Sequence, residues 1–192
     1  MIAHPYYPRM RQPTYPIDTD RLFLRLYQHS DLDQLHDIHR RSDVVRYLYW
    51  TEKSHEQTKE MLDRRMQKTV FDPDSDGLIL AVERKDTGEL IGDISLFDYD
   101  KVNNQAEFGF IFHPDHQGRG FASEAARVGL DLAFDAFGLR RVIGRCDARN
   151  TASAKLMERL GLRREAHFRE DEFFKGEWSS TYVYAILASE WN

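Results

Sequence analysis

Cysteine occurs once in the 192 residues, at Cys146. Neither an intrachain disulfide framework nor a cysteine-built zinc site can therefore form within one chain. No apolar run approaches the roughly 20 residues needed to cross a bilayer, and the N-terminus lacks the basic-then-apolar layout of an export signal. The expectation is a protein of the reducing cytoplasm, with no membrane partner. An excess of positive charge is also missing: 27 Lys and Arg stand against 32 Asp and Glu, well mixed, for a net charge of −5. A nucleic-acid binder usually presents a basic face, so no nucleic-acid partner is expected. Proline is scarce beyond the start, where Pro5, Pro8, Pro13 and Pro16 interleave with Tyr6, Tyr7 and Tyr15. That density blocks strand pairing and predicts an extended arm over residues 1–17, packed on its own body or on a neighbouring subunit.

What is present is ordinary for a globular protein, 41% hydrophobic and 31% charged residues, in a length that suits one domain over residues 18–192. Residues 21–26 alternate as a first strand, and Ser30 is read as the cap of a helix carrying Leu32, Leu35, Ile38 and His39. A second helix is expected over residues 54–70. Strands then follow at residues 78–83 and 90–97, joined by an Asp86-Thr87-Gly88 turn, and a third runs from Gln105 to Phe112. Residues 122–137 repeat Ala125, Val128, Leu132 and Ala136 at the spacing of a helix laid on a sheet. A strand at 140–146, a short helix at 151–160 ended by Gly161, and a hairpin turning at Lys175-Gly176-Glu177 complete the chain. The order is α+β, with a β-α-β crossover at its centre.

The chemistry concentrates in His113-Pro114-Asp115-His116-Gln117-Gly118-Arg119-Gly120, between a strand and a helix. Two nearly adjacent glycines let the backbone approach a ligand closely. The amides of the first helical turn lack intrahelical acceptors and the helix dipole adds positive potential, which suits a phosphate. Arg119 could add a charge-assisted contact. A P-loop would need a Gly-Lys-Ser/Thr, absent here. A dinucleotide fold would need a third glycine where Ser123 stands, and a strand ending directly at Gly118. Gln117-x-x-Gly120-x-Ala122 fits instead the Q/R-x-x-G-x-G/A pattern of the GNAT N-acetyltransferases.

Other stretches carry the same resemblance in the family's order. They are Thr19-Asp20-Arg21-Leu22-Phe23-Leu24-Arg25, Ala106-Glu107-Phe108-Gly109-Phe110, Gly120-Phe121-Ala122-Ser123-Glu124-Ala125, Asn150-Thr151-Ala152-Ser153-Ala154-Lys155-Leu156-Met157 and Leu160-Gly161-Leu162. From about Asp18 to Glu190 the chain resembles the RimJ/RimL-like branch, which acetylates ribosomal-protein N-termini. The resemblance implies the GNAT fold: a mixed, mostly antiparallel central sheet with a splayed parallel strand pair and flanking helices. It implies acetyl-CoA as cosubstrate and transfer of acetyl to a primary amine, on a protein N-terminus or a small molecule, by direct attack in a ternary complex. The alternative is a noncatalytic acyl-CoA-binding or protein-interaction module on the same fold. Dimers are common in the family, so a homodimer is within the expectation.

Carried onto this chain, the coenzyme would meet Gln117, Gly118, Arg119, Gly120, Phe121, Ala122 and Ser123 at the loop. Its pantetheine arm would thread the splayed strands, meeting Ile111, Phe112 and His113 through backbone groups, with Asn150 and Ser153 at the far side. Asn150 would equally serve as the N-cap of the helix from Thr151. Ser153 is the candidate to return a proton to the leaving thiolate. The amine must lose a proton to attack, and the resemblance makes Glu172 the first candidate base, with Glu107 as its rival. Tyr184 is read as a core or wall residue, Cys146 as a strand residue and not a nucleophile. His113 and His116 lack a second ligand at metal spacing, so no metal is expected. Ser179-Ser180-Thr181 departs from the family, which commonly has an aspartate there. Tyr47-Leu48-Tyr49-Trp50 joins the two N-terminal helices and is a candidate acceptor wall.

Overall fold

A computed structural model describes residues 10–72, 75 and 77–191. Pro5, Tyr6, Tyr7 and Pro8 of the expected arm, with Pro73, Asp74 and Asp76 of the loop before the meander, lie outside the described residues. Eight strands form one sheet: β1 (Ile17–Asp18), β2 (Leu22–Arg25), β3 (Leu78–Arg84), β4 (Leu90–Asp100), β5 (Gln105–Phe112), β6 (Arg141–Asp147), β7 (Arg163–Phe174) and β8 (Glu177–Leu187). Their spatial order is β1-β2-β3-β4-β5-β6-β8-β7, and every neighbouring pair is antiparallel except β5 and β6. Helices α1 (Leu32–His39), α2 (Ser42–Val45), α3 (His55–Arg65), α4 (Phe121–Asp131) and α5 (Thr151–Arg159) flank it. The α+β architecture expected from the sequence is the one observed.

Strand alternation assigns the two faces. Leu80, Val82, Ile91, Phe108 and Val142 join Ala125, Leu130 and Met157 in the larger core, so α4 and α5 cover that face. Ala81 and Leu90 pack with Leu35, Ile38 and Leu62 in a second cluster, which puts α1 and α3 on the other. The parallel pair β5 and β6 needs a crossover, and α4 supplies it. It seats closely because Gly129 carries no Cβ; one there would fall 2.6 Å from the Phe108 ring.

The strand pair that positions the site is paired over three residues alone: Gln105↔Arg141, Ala106↔Val142 and Glu107↔Ile143. Beyond them β5 stays with β4 and β6 stays with β8, so the two strands part into a V whose apex lies at Glu107 and Ile143. This is the splay that the family resemblance implied.

Several local expectations need correction. Ser30 is exposed and caps nothing; the chain enters α1 through a 3-10 turn, His29–Asp31, whose Asp31 accepts from the Gln28 N–H at 2.9 Å and pairs with Arg25 at 2.7 Å. A buried ion pair fixes that entry, and no local pattern announces it. Helix α3 stops at Arg65 rather than continuing to residue 70. Its start is as read, with Ser54 accepting from the Gln57 N–H (3.2 Å) while the Gln57 side chain accepts from the Ser54 N–H (2.9 Å). The crossover helix widens after Asp131 into a π-type turn, Leu132–Ala136. The final hairpin turns at Lys175 (φ 50°) and Gly176 (φ 87°), the positive pair that a tight two-residue turn requires. The described end of the arm lies on its own body: the Arg11 N–H donates to Ala136 O at 2.8 Å, and the Gln12 side chain pairs with the Phe71 backbone.

Candidate active site

β5 ends in a 3-10 turn, Pro114–His116, closed by the Gln117 N–H donating to Pro114 O at 3.0 Å. Gly118 and Gly120 then adopt φ of 75° and 84°, the left-handed region that glycine enters without strain. The first intrahelical bond of α4 is Glu124 N–H to Gly120 O, 3.0 Å. The six consecutive amides from Gly118 to Ser123 consequently have no acceptor among the described residues. Such a row at a helix N-terminus is a ready anion site.

The side chains of this segment divide their duties. Arg119 and Gln117 are exposed. Phe121 is buried between the guanidinium groups of Arg21 and Arg84, at 4.6 and 5.3 Å from the ring centroid, and Ala122 packs on the core. Both therefore leave only their backbone amides free to meet a ligand. The Ser123 hydroxyl accepts from Arg159 at 3.0 Å.

Ladder parity decides which backbone groups line the gap between β5 and β6. The His113 N–H donates to Ile91 O at 2.8 Å, so His113 and its strand mates of the same parity, Ile111 and Gly109, turn their polar groups toward β4. Phe110 and Phe112 point theirs the other way, into the V. Of the three strand-end residues expected to meet the pantetheine, Phe112 turns its backbone into the gap, as does Phe110, which the sequence reading did not include, whereas Ile111 and His113 turn theirs toward β4. The signal was available in principle, since a period of two fixes every second residue once one is placed. His113 instead holds the loop, its ring 3.0 Å from Asp37 and accepting from the Asp115 N–H at 3.2 Å.

Across the gap, Asn150 caps α5 by accepting from the Ser153 N–H at 3.1 Å. Its Oδ1 is committed to the helix, so only the carboxamide N–H groups remain for a ligand. Ser153 lies on α5, on the α4–α5 face of the sheet. Glu107 lies on the opposite face, where Arg145 reaches to 3.3 Å. Glu172 pairs with Ser179 on β8, two places from Thr181 opposite Asp147, and so shares the Glu107 face. The two candidate bases share one face of the sheet, and Ser153 lies on the other.

Burial raises the Glu107 carboxyl above the ordinary range, Arg145 opposes the shift and Asp98 adds to it. Glu172 accepts from the Tyr49 hydroxyl at 3.2 Å. Tyr49 is itself raised, first by burial and then by Glu172 and Glu107. The aromatic loop read as an acceptor wall thus reaches over the carboxylates. It is held there by Lys175, whose ammonium donates to Val45 O (2.6 Å) and Trp50 O (2.8 Å).

Tyr184 is a core residue and Cys146 a strand residue, as read. Tyr184 is fully buried, donates to Glu158 at 2.9 Å and is pushed up to about 12, first by burial. The Cys146 thiol is pushed up to about 11 by burial, then by Asp147 and Glu158, which makes a thiolate nucleophile scarce at neutral pH. No group of three or more His, Cys, Asp or Glu among the described residues could hold a metal ion, and none of the described helices is long and apolar enough to cross a membrane.

An acetyltransferase (GNAT) domain model matches residues 21–163. The uncharacterized N-acetyltransferase YnaD of Bacillus subtilis (strain 168) is 30% identical over 176 residues, 92% of this chain and 99% of that protein. A GNAT-family acetyltransferase from Bacillus anthracis has a similar structure, with a TM-score of 0.80 at 29% identity, over 91% of this chain and 99% of that one. Spermidine N-acetyltransferase from Vibrio cholerae, solved with CoA and spermine, gives a TM-score of 0.76 at 25% identity, over 90% and 98% of the two chains. The unpaired amides, the splayed strands and these likenesses agree: the chain belongs to the GNAT acetyltransferase family and is an acetyl-CoA-dependent N-acetyltransferase.

Proposed function

We propose that the chain acetylates a primary amine of a small polycation, of the spermidine kind, by direct attack of the bound amine on acetyl-CoA. One observation carries the reading: Glu107 stands at the apex of the β5–β6 V with Asp98 near it and Arg145 as the opposing charge, and Tyr49 feels both Glu107 and Glu172 on that face. A cluster with more carboxylates than cations attracts an acceptor that carries several ammonium groups. The Vibrio cholerae relative, solved with spermine, supports the same class. A ribosomal-protein N-terminus, the acceptor of the RimJ/RimL-like branch, is the second reading, supported by the Asn150 to Met157 segment and by Ser153 within it.

Bound acetyl-CoA supplies the thioester carbonyl; the residues supply orientation and proton transfer. The amides of residues 118–123 hold the diphosphate, and the backbone of Phe110 and Phe112 steers the amide-rich arm into the gap. Glu107 accepts the proton of the attacking ammonium. The family resemblance favoured Glu172 for that role, but a shielded carboxylate with a raised pKa is the stronger base when ionised. Glu172, with Tyr49, holds the remainder of the cationic acceptor. Ser153 returns a proton to the departing sulfur from the other face.

Thiol release across an amine and peptide panel tests the acceptor, and spermidine is expected to outperform an N-terminal peptide. Reversal of that order would remove the polycation and restore the peptide reading. Glu107→Gln is expected to lower kcat about 100-fold at neutral pH. The deficit should shrink at alkaline pH, where the amine is already neutral. Because the Glu107 carboxyl titrates above the usual range, the parent should lose activity on acidification earlier than an ordinary carboxylate base would allow. Glu172→Gln should mainly raise the amine KM. The pH-dependent kcat loss appearing on Glu172→Gln instead would return the base to Glu172.

A further inference from the structure

Arg21, in the turn between β1 and β2, touches the phosphate loop from behind. Its NH1 donates to Arg119 O at 2.9 Å, and its Nε donates to Glu124 Oε2 at 2.7 Å. The Arg21 N–H and the Thr19 hydroxyl both donate to Glu124 Oε1, at 2.9 and 2.7 Å. The guanidinium also lies 4.6 Å from the Phe121 ring centroid, and its NH2 would sit 3.3 Å from a Cβ placed on Gly120.

A peptide unit is planar and trans, so its C=O and N–H point in opposite directions. Holding Arg119 O on Arg21 therefore aims the next amide, Gly120 N–H, away from Arg21 and toward the ligand side. Flanking glycines leave that peptide otherwise free to rotate. Glu124 raises a second issue, since a carboxylate in the first turn of α4 could compete with a phosphate for the same amides. Here it is turned away and occupied. Burial alone would raise its carboxyl, yet the hydrogen bonds from Thr19 and Arg21 outweigh burial and hold it below the usual range.

We propose that Arg21, braced by Glu124 and Thr19, is a positioning residue that presets the Gly118–Gly120 backbone for the phosphates of acetyl-CoA. A loop fixed before binding loses less entropy on binding, so the effect belongs in coenzyme affinity. The proposal rests on the assignment of this loop as the phosphate site.

The test compares Arg21→Lys and Arg21→Ala with the parent, reading CoA binding by calorimetry, the two KM values and kcat. Lysine keeps the charge but cannot bridge Glu124 and Arg119 O with one planar fork. Both variants are expected to weaken CoA and raise the acetyl-CoA KM by about tenfold or more, with kcat and the amine KM nearly unchanged. Glu124→Gln, which keeps the carbonyl acceptor, should weaken CoA in the same direction by less. Arg21→Lys binding CoA like the parent would show that charge alone matters and overturn the clamp. A kcat loss with unchanged acetyl-CoA KM would overturn it too. A parent that fails to bind CoA would overturn the loop assignment, and the clamp with it.

Discussion

Gly120→Asp is expected to weaken CoA binding at least about 100-fold, roughly 2.7 kcal/mol, in a chain that still folds. Gly120 sits at φ 84° immediately before α4. Aspartate enters the left-handed region more readily than most residues, at a local cost of about 1–2 kcal/mol. The new Cβ would lie near Arg21 NH2, which can accept the added charge. The fold is thus spared, whereas the added negative charge repels the diphosphate and disturbs the loop that would hold it. Arg21 would also be drawn from Arg119 O. Thermal denaturation with and without CoA checks this: the parent should shift upward with ligand and the variant should not. A variant binding CoA within about threefold of the parent would remove the loop from the site.

The second large effect falls on stability. Asp93 on β4 accepts from the Tyr27 hydroxyl at 2.9 Å and pairs with Arg65 of α3, and both charged side chains are nearly sealed from solvent, at 4% and 7% exposure. Arg65 also donates to the Tyr27 hydroxyl at 2.8 Å and reaches His39 at 3.3 Å. Burial, Arg65 and Lys53 push His39 down to about 3, so its imidazole stays neutral and can accept. It has one acceptor nitrogen, yet both Arg65 and the Trp50 indole face it as donors, so it satisfies one of them at a time. Asp93→Ala would leave Arg65 buried without its counter-charge and is expected to destabilise the fold by about 3–5 kcal/mol. Urea unfolding measures it. The double change Asp93→Leu with Arg65→Met should recover most of the loss, because replacing a buried pair by packed apolar groups is often neutral. A single variant as stable as the parent would mean that the pair contributes little and that α3 is held by its apolar contacts.

These two sites differ in how readily the sequence discloses them. The Gln117-x-x-Gly120-x-Ala122 loop is local: its glycines, the apolar periodicity after it and the strand before it are contiguous, and Gln105 to Phe112 begins and ends where alternation says it should. Asn150 doubles as cap and candidate ligand because both roles need a short polar side chain at a helix start. The Arg65–Asp93 pair, the Arg21–Glu124 contact and the Tyr49–Glu172 bond join residues 28, 103 and 123 apart. No short-range periodicity encodes such pairings. Helix ends escape local pattern for a related reason: Asp31 and Arg25 override Ser30 as the organiser of the first helix. The ranking of Glu107 and Glu172 depends on shielding, which a string of residues does not carry. The family resemblance supplied the splay, and its three-residue register located the apex.

Direct transfer requires the two ligands to meet across the β5–β6 gap. Initial-rate kinetics with acetyl-CoA and spermidine varied together test it most directly. Direct attack by the bound amine predicts intersecting double-reciprocal lines, no release of CoA before amine is added, and a Cys146→Ser variant with parental kcat. Parallel lines with a burst of CoA in the absence of amine, abolished by Cys146→Ser, would contradict it.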